Sequence, residues 1–246
     1  MLFRSCESLG QPFEERVPES AGRALQDRKL PGSRMGDQYE DGFTLASVDV
    51  QKDCVYWTVR NWRPGAWSVL VDAGKSASMG DLEHEVVAPY LEGGHHLVID
   101  CGYIQNEVFE YCRQSGWRPF RGDKSKHYVV ENVRQIWTCK PHGVPPLKVT
   151  YFSSAGAKDV LSMYMTGQAG QWHLPENVPN EYLAQLLAEV KTQRLNKDGL
   201  PTGEWEWKVL SSNNHWLDCE CMQIVAALDY SMWAVKNGNQ IGRAHV

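Results

Sequence analysis

Hydrophobic and polar positions alternate along three neighbouring runs of the chain, which follow a polar first stretch. The runs span residues 43–51, 54–62 and 66–73, and they are rich in Val, Tyr and Trp, as β-strands usually are. Only short turns such as Arg63-Pro64-Gly65 separate them, and connections this short join antiparallel neighbours. The pattern therefore predicts an antiparallel meander of three strands.

After the meander, segments with helical spacing alternate with short hydrophobic runs. Helices are predicted over residues 81–91, 106–115, 157–165, 181–195 and 213–233. Strands are predicted over residues 95–100, 117–121 and 204–210, with a hairpin from 135–140 to 147–153. This order predicts an α/β fold with a mixed sheet, an antiparallel meander plus parallel strands, and helices on both faces. We expect the fourth strand to lie parallel to and beside the first, after a right-handed crossover.

The segment 181–195 has the clearest amphipathic pattern in the chain. Four hydrophobic residues fall on one stripe at helical spacing: Leu183, Leu186, Leu187 and Val190. The spacing predicts one continuous helix over the whole segment.

Both ends of the chain differ in character from the middle. Residues 6–41 are polar and rich in Gly and Pro, which predicts a linker with one short helix at 20–28. Residues 1–5 and 241–246 back-translate into near reverse complements that are similar to a common sequencing adapter, so we expect them to be foreign. We therefore expect the chain to be a fragment of a longer reading frame, divided into three parts: a linker (1–41), a folded domain (42–235) and a tail (236–246).

The composition is that of an ordinary globular protein, with 42% hydrophobic and 22% charged residues among 246. Seven cysteines are an odd number in a chain of this length, which favours reduced thiols over a disulfide framework. A net charge of −5 excludes a strongly basic DNA-coating protein, but not an enzyme that meets nucleic acid through metal ions and local basic patches. There is no hydrophobic run of about 18 residues, so we expect no membrane-spanning helix.

Three aspartates occupy positions where carboxylates are uncommon. Asp49 lies in the middle of the first predicted strand, and Asp100 ends the fourth, where ligand sites of α/β sheets often lie. Asp218 lies in the last predicted helix. Its neighbours one and two turns on are hydrophobic: Cys221, Met222 and Val225. One such aspartate alone is more simply a cap or turn residue, but the three together match the ribonuclease H-like arrangement, in which the first and fourth strands are adjacent.

Converging buried carboxylates repel one another unless cations bind between them. Oxygen ligands of this kind suit Mg²⁺ or Mn²⁺. Two such ions would clamp a phosphodiester for in-line hydrolysis, and they would bring the three aspartate side chains within about 8 Å of one another. The three aspartates therefore predict a site for two divalent ions.

Several sequence motifs of the chain resemble those of a known family. VDVQKD stands before a strand rich in Trp and Tyr, and four further blocks follow in order: LVIDCGYIQNEVFEYCRQSGW, GAKDVL, WHLPENVPNEYLAQLLAEV and NNHWLDCECMQIVAAL. Over residues 43–230 they resemble the nuclease domain of the lambda-like phage terminase large subunit. The resemblance implies a ribonuclease H-like fold and a metal-dependent endonuclease that cuts concatemeric phage DNA during genome packaging.

The resemblance also implies site residues. Asp49 matches the first-strand aspartate of the family, Asp100 the aspartate of its D-[ST]-G motif, and Asp218 that of its late L-D-C motif. Lys158, in GAKDVL, matches a recurring lysine that could face DNA or the scissile phosphate.

Two positions depart from the family pattern. Some relatives carry an acidic residue where this chain has His215, which leaves open whether Asp218 completes the site. By position alone, His215 either shuttles a proton to the leaving oxygen or caps the helix. Arg121-Gly122 stands where Lys-Gly is usual, so a basic role passes to Arg121 or Lys124.

The family further implies double-stranded DNA as the substrate, and the terminase small subunit and portal as partners of the full-length protein. It also implies the cytoplasm of an infected host cell as the location. The family's packaging ATPase lies N-terminal to the nuclease, and we expect it upstream of this chain. The one candidate phosphate loop, Gly74-Lys75-Ser76, has Val69 where such a loop needs glycine.

Other interpretations remain open at this stage. Another ribonuclease H-like nuclease or an integrase would carry the same carboxylates, and a non-catalytic packaging module could keep the fold. Cys219 and Cys221 form C-x-C rather than a paired zinc spacing, so buried free thiols are the better interpretation. The basic stretches at 118–126 and 191–197 either touch the DNA backbone or are solvated faces.

Overall fold

The computed structural model of the chain describes residues 19–91, 96–125 and 127–230. Nine of its strands form one sheet: β1 (Lys29–Leu30), β2 (Phe43–Val50), β3 (Val55–Arg63), β4 (Trp67–Ser76), β5 (Leu97–Asp100), β6 (Arg118–Asp123), β9 (Trp137–His142), β10 (Leu147–Ser153) and β11 (Gln171–Pro175). Four more form two separate hairpins: β7 (Tyr128–Val130) with β8 (Val133–Gln135), and β12 (Glu189–Leu195) with β13 (Pro201–Val209).

The helices are α1 (Glu19–Gln26), α2 (Ala88–Tyr90), α3 (Gln105–Ser115), α4 (Ser154–Met165), α5 (Asn180–Leu186) and α6 (His215–Asp229). A 3₁₀ turn at Met79–Asp81 and a π-helix at Glu83–Val87 lead into α2 and fill the predicted helical segment between β4 and β5. None of the helices in the described ranges is both long and apolar enough to cross a membrane.

The predicted meander is confirmed, because β2 pairs antiparallel with β3 and β3 pairs antiparallel with β4. β5 runs parallel to β2, also as predicted, and the parallel series continues through β6 to β10. The full order is β1-β11-β4-β3-β2-β5-β6-β10-β9. The first and fourth predicted strands are thus adjacent at the centre of a mixed sheet, which confirms the α/β, ribonuclease H-like fold. The hand of the crossover stays a prediction.

Helices cover both faces of the sheet because its central strands are hydrophobic on both sides. On one face, Leu45 and Val98 pack with hydrophobic residues of α4, α5 and α6. On the other face, Ala46 and Ile99 pack with α3 and the helical segments between β4 and β5. Since side chains of a strand alternate, Asp49 lies on the same side of β2 as Leu45, toward α6.

The continuous helix predicted over residues 181–195 is wrong. α5 ends at Leu186, and the chain resumes as β12, which pairs antiparallel with β13. The stretch EVKTQRL alternates hydrophobic and polar positions at its start, so a strand fits it as well as a helix does. Pairing with β13 gives its backbone groups partners, and this tertiary contact overrides the local helical spacing.

Part of the predicted linker contributes to the fold. The predicted short helix is present as α1, and its Leu25 is 1% exposed in the core. β1 then pairs parallel with β11 at the edge of the sheet. The two ends that we expect to be foreign lie outside the described residues.

Candidate active site

The three predicted aspartates line one cavity of about 160 Å³. Asp49 comes from β2, Asp100 from the end of the adjacent β5, and Asp218 from the first turn of α6. Elements that are distant in sequence therefore meet at this point. The other residues that line the cavity are Gly122, Phe152, Ser154, Lys158, Cys221 and Met222.

Asp49 is 5% exposed, and two side chains hold its carboxylate. His215 Nδ1 lies 2.8 Å from Asp49 Oδ2, and Gln51 Nε2 donates to the same oxygen over 2.7 Å. Both contacts end on the same carboxylate oxygen, Oδ2. His215 is the first residue of α6 and Asn214 is its N-cap, so His215 contacts the carboxylate instead of capping the helix.

Asp100 and Asp218 carry raised pKa values because their carboxylates are buried beside like charges. Burial is the main cause that raises the pKa of Asp100 to about 6; the Gly102 backbone N–H opposes the rise and the charge of Asp49 adds to it. Burial likewise raises the pKa of Asp218 to about 7, against the opposing charge of Lys158. The ionised carboxylates therefore repel one another, which is the situation that a divalent cation relieves.

The donor atoms of the cavity suit a hard divalent ion, because carboxylate oxygens are the ligands that Mg²⁺ and Mn²⁺ prefer. In the described ranges, no group of three or more His, Cys, Asp or Glu side chains is already spaced as the ligands of one ion. Joint ligation would therefore require the side chains to come closer together, and their predicted approach to within about 8 Å of one another stays a prediction. Cys221 also lines the cavity, but burial holds the pKa of its thiol well above the ordinary value, which disfavours the thiolate that binds metals.

Lys158 lines the same cavity, and its ammonium is paired with a residue that the sequence did not reveal. Lys158 Nζ donates to Glu189 Oε1 over 2.6 Å, and Glu189 is 8% exposed. Because residues 181–195 were expected to form one helix, Glu189 gave no sign of facing α4. The alternation of β12 would not have placed it inward either, because consecutive strand residues point to opposite faces and the hydrophobic Val190 would be the expected inward residue.

An aromatic stack holds the imidazole of His215 on its other side. The rings of Tyr56 and His215 are stacked, with centroids 4.3 Å apart and planes 22° apart. Trp216 meets Tyr56 edge-on, and Lys75 Nζ lies 5.3 Å from the centre of the Tyr56 ring. The imidazole is therefore fixed between Tyr56 and the Asp49 carboxylate, with Nδ1 toward Asp49.

The first predicted basic stretch lies partly at the cavity. Arg121, on β6, is close enough to Asp100 for its charge to oppose the rise of the Asp100 pKa. Lys124 is exposed, whereas Arg118 is paired with an acidic residue of α6. Gly122 forms part of the cavity wall, where a Cβ would stand only 2.6 Å from Ser154 Oγ.

The second basic stretch lies on β12, where two of its cations are paired with acidic neighbours.

Buried polar contacts fix the orientation of α6, which carries Asp218. Glu220 and Arg60 have fully buried side chains and pair over 2.7 Å between Oε1 and the guanidinium. Tyr182 also donates to Glu220. One turn further on, Gln223 Nε2 donates to the backbone carbonyl of Leu45 on β2 over 2.9 Å. These bonds tie α6 to the sheet and so direct Asp218 into the cavity.

The thiols predicted to be free are so in the structure. Cys219 and Cys221 are both buried and make no disulfide. Burial raises the pKa of each thiol well above its ordinary value, so both are protonated near neutral pH.

Comparison with known proteins identifies the family. A family model described as the endonuclease domain of terminase large subunit gpA matches residues 5–235. Among solved structures, the nuclease domain of the large terminase subunit gp2 of bacterial virus Sf6 is similar at 12% identity and a TM-score of 0.48, over 83% of this chain and 96% of that one. Curated protein sequences give no significant match. Because the family match spans most of the chain, the resemblance seen in the sequence is confirmed and the chain belongs to the terminase large subunit gpA endonuclease domain family, nucleases of phage DNA packaging.

Proposed function

We propose that this chain is a metal-dependent DNA endonuclease domain that cuts concatemeric viral DNA during genome packaging by two-metal phosphodiester hydrolysis. Asp49, Asp100 and Asp218 would hold two Mg²⁺ or Mn²⁺ ions. The observation that carries the proposal is the cavity that these three carboxylates share, in a chain of the terminase endonuclease family. Their mutual repulsion, with the pKa of Asp218 raised to about 7, supports a site built for cations.

Bound divalent ions would supply Lewis acidity and lower the pKa of the attacking water. Two side chains of the protein would transfer the proton and stabilise the charge on the phosphate. His215 is oriented by Asp49 through Nδ1, which leaves Nε2 to exchange a proton with the leaving oxygen. The Lys158 ammonium at the cavity wall would stabilise negative charge on the phosphate.

We further propose that the substrate is double-stranded DNA and that the small subunit and portal act through the full-length protein, in the cytoplasm of the infected host. The chain has a net charge of −5, so few phosphate contacts are its own. Tight targeting to DNA would then come from the packaging ATPase that we expect upstream and from the small subunit.

The chain should nick or cut plasmid DNA slowly, without sequence preference, in the presence of Mg²⁺ or Mn²⁺. Cutting should stop in EDTA, because carboxylates without cations repel the phosphate. It should also weaken with added salt, since salt ions compete with the protein for the DNA phosphates. Gel analysis of supercoiled plasmid measures all three effects. Equal cutting in EDTA would contradict the mechanism, failure to cut with either ion would favour a non-catalytic packaging module, and joining of DNA ends would favour an integrase.

Asp218→Asn should raise the stability of the metal-free protein by about 2 kcal/mol at pH 8. One pKa unit corresponds to about 1.4 kcal/mol, and we take roughly half of the full effect of the raised Asp218 pKa because solvent partly screens this side chain. The pKa of Asp218 is raised to about 7, so the folded state binds the proton more tightly than the unfolded state does. The ionised carboxylate therefore costs stability above pH 7, and the cost shrinks as the pH falls toward 4. Thermal unfolding in EDTA at pH 8 and pH 5 measures the effect.

Two controls accompany this measurement. Asp198→Asn changes an exposed aspartate in the β12–β13 turn and should leave the midpoint of unfolding unchanged. Mg²⁺ should stabilise the wild type more than Asp218→Asn, since a ligand that binds only the folded state shifts unfolding. An Asp218→Asn variant that unfolds more easily than the wild type at pH 8 would show that this carboxylate has a structural role instead.

A further inference from the structure

The Lys158–Glu189 ion pair is more buried than the other ion pairs made by β12, the strand on which Glu189 lies. The two side chains are 12% and 3% exposed, whereas the ion pairs further along β12 have side chains 40–60% exposed. Desolvating both charges is costly, and the Coulomb attraction between them repays that cost only when the geometry is good. The pair is therefore a weak source of stability, and another role has to explain its burial.

Glu189 joins three elements at the edge of the cavity. Its Oε1 accepts from Lys158 Nζ on α4 over 2.6 Å and from Asn214 Nδ2 over 2.9 Å. Asn214 directly precedes His215, whose ring contacts Asp49. One carboxylate oxygen thus connects the start of β12 with α4 and with the start of the helix that carries Asp218.

The Lys158 ammonium interacts with two carboxylates, because it donates to Glu189 and its charge also acts on Asp218. Lys158 lines the cavity with the three aspartates, and its charge opposes the rise of the Asp218 pKa. An ammonium has three N–H donors, and Glu189 is its only hydrogen-bond partner in the described part of the chain. Two donors are therefore left for oxygens in the cavity.

We propose that Glu189 is a positioning residue, which holds the Lys158 ammonium at the cavity wall so that its two remaining donors meet a non-bridging oxygen of the scissile phosphate. The inference rests on the proposed function, because it needs a phosphate to be cut in this cavity. Lysine is a point charge on a flexible four-carbon stem, so a fixed anchor determines where its charge acts. Anchored on Glu189, the ammonium does not close onto Asp218, whose carboxylate stays available to a cation.

The test compares Glu189→Ala, Glu189→Gln, Lys158→Met and the double variant Lys158→Met/Glu189→Ala in Mg²⁺-dependent plasmid cutting. Lys158→Met should lower kcat about 100-fold, the range for loss of one charged group that stabilises the transition state. Glu189→Ala should lower kcat about 10-fold, and Glu189→Gln less, because its amide oxygen still accepts the hydrogen bond. KM and the Mg²⁺ concentration for half-maximal rate should stay within about twofold, since neither side chain would bind the ions.

The double variant separates positioning from packing. In the Lys158→Met background, Glu189→Ala should cause no further loss of kcat, because the proposed effect of Glu189 on the phosphate passes through the lysine. A further loss would assign the effect to its bond with Asn214 and overturn the positioning role. Glu206→Gln, an exposed change of the same charge on β13, is the matched control and should cut like the wild type. Thermal unfolding of every variant identifies losses that come from unfolding alone.

Each outcome decides between the proposals. If the wild type cuts and Glu189→Ala cuts equally well, the positioning role is overturned and the proposed function stands. A Mg²⁺ requirement raised about tenfold in Glu189→Gln would make Glu189 a metal ligand and overturn the inference. If Glu189→Ala lowers kcat by the same factor in the wild type and in Lys158→Met, and the loss parallels a lower midpoint of unfolding, Glu189 has a structural role. A wild type that cuts with neither Mg²⁺ nor Mn²⁺ would overturn both proposals together.

Discussion

Asp100→Asn should lower metal-dependent cutting by about 1,000-fold or more, since the proposed ions would stabilise transition-state charge by several kcal/mol and 1.4 kcal/mol is a factor of ten. Asn keeps the volume of Asp but removes the ligand charge, so the fold should persist. Asp49→Asn and Asp218→Asn should each have a similar effect. Plasmid cutting in Mg²⁺, with circular dichroism to check folding, measures it.

Comparison with His215→Ala decides which residue completes the site. If Asp218 is the third ligand, Asp218→Asn should be the more damaging change, and His215→Ala should lose only what proton transfer contributes, about 100-fold at the lower end of its usual range. If His215 completes the site, the order reverses. Asp198→Asn again serves as the exposed control. Full metal-dependent activity in Asp100→Asn would make the proposed mechanism wrong.

Glu220→Ala should destabilise the protein by about 3–5 kcal/mol, the cost of leaving a buried charge without its partner. Arg60 and Glu220 are both fully buried, and removal of the carboxylate would leave the guanidinium, among the residues that the structure describes, with Ser68 Oγ, the His173 carbonyl and the Trp172 ring. Urea unfolding, monitored by tryptophan fluorescence, measures the change.

The control for Glu220→Ala is Glu204→Ala, which breaks the exposed pair with Arg194. Both side chains of that pair are about 60% exposed, so the change should be within about 0.5 kcal/mol. The double variant Arg60→Met/Glu220→Leu should be less destabilised than Glu220→Ala, because no unpaired charge is left buried. A Glu220→Ala protein within about 1 kcal/mol of the wild type would show that water or other groups compensate for the loss.

The sequence was sufficient to predict the centre of the sheet. The first three strands are hydrophobic runs joined by short turns, and short turns leave only antiparallel pairing open. The segment at 181–195 shows where local patterns fail. Its helical spacing corresponds to a helix only as far as Leu186. Beyond that residue the chain pairs with β13, and the sequence of the segment itself does not reveal this partner.

The same reasoning explains which residues of the site could be predicted from the sequence. A carboxylate in a hydrophobic strand, such as Asp49, stands out because its surroundings make it costly. Glu189 was hidden, because glutamate is common in helices and its segment was expected to form one. Arg60 and Glu220 were hidden as well, since each is an ordinary charged residue until the fold buries both of them.

The contact between Asp49 and His215 joins positions 166 residues apart in the chain, and this bears on when activity first appears. During translation β2 and β5 leave the ribosome long before α6, because a nascent chain emerges from its N-terminal end. Until α6 emerges and docks, the nascent protein has neither Asp218 nor His215 in place and should be unable to cut. Ribosome-stalled chains that stop before residue 215 should therefore leave plasmid DNA intact, so that nuclease activity begins only once this helix has been made.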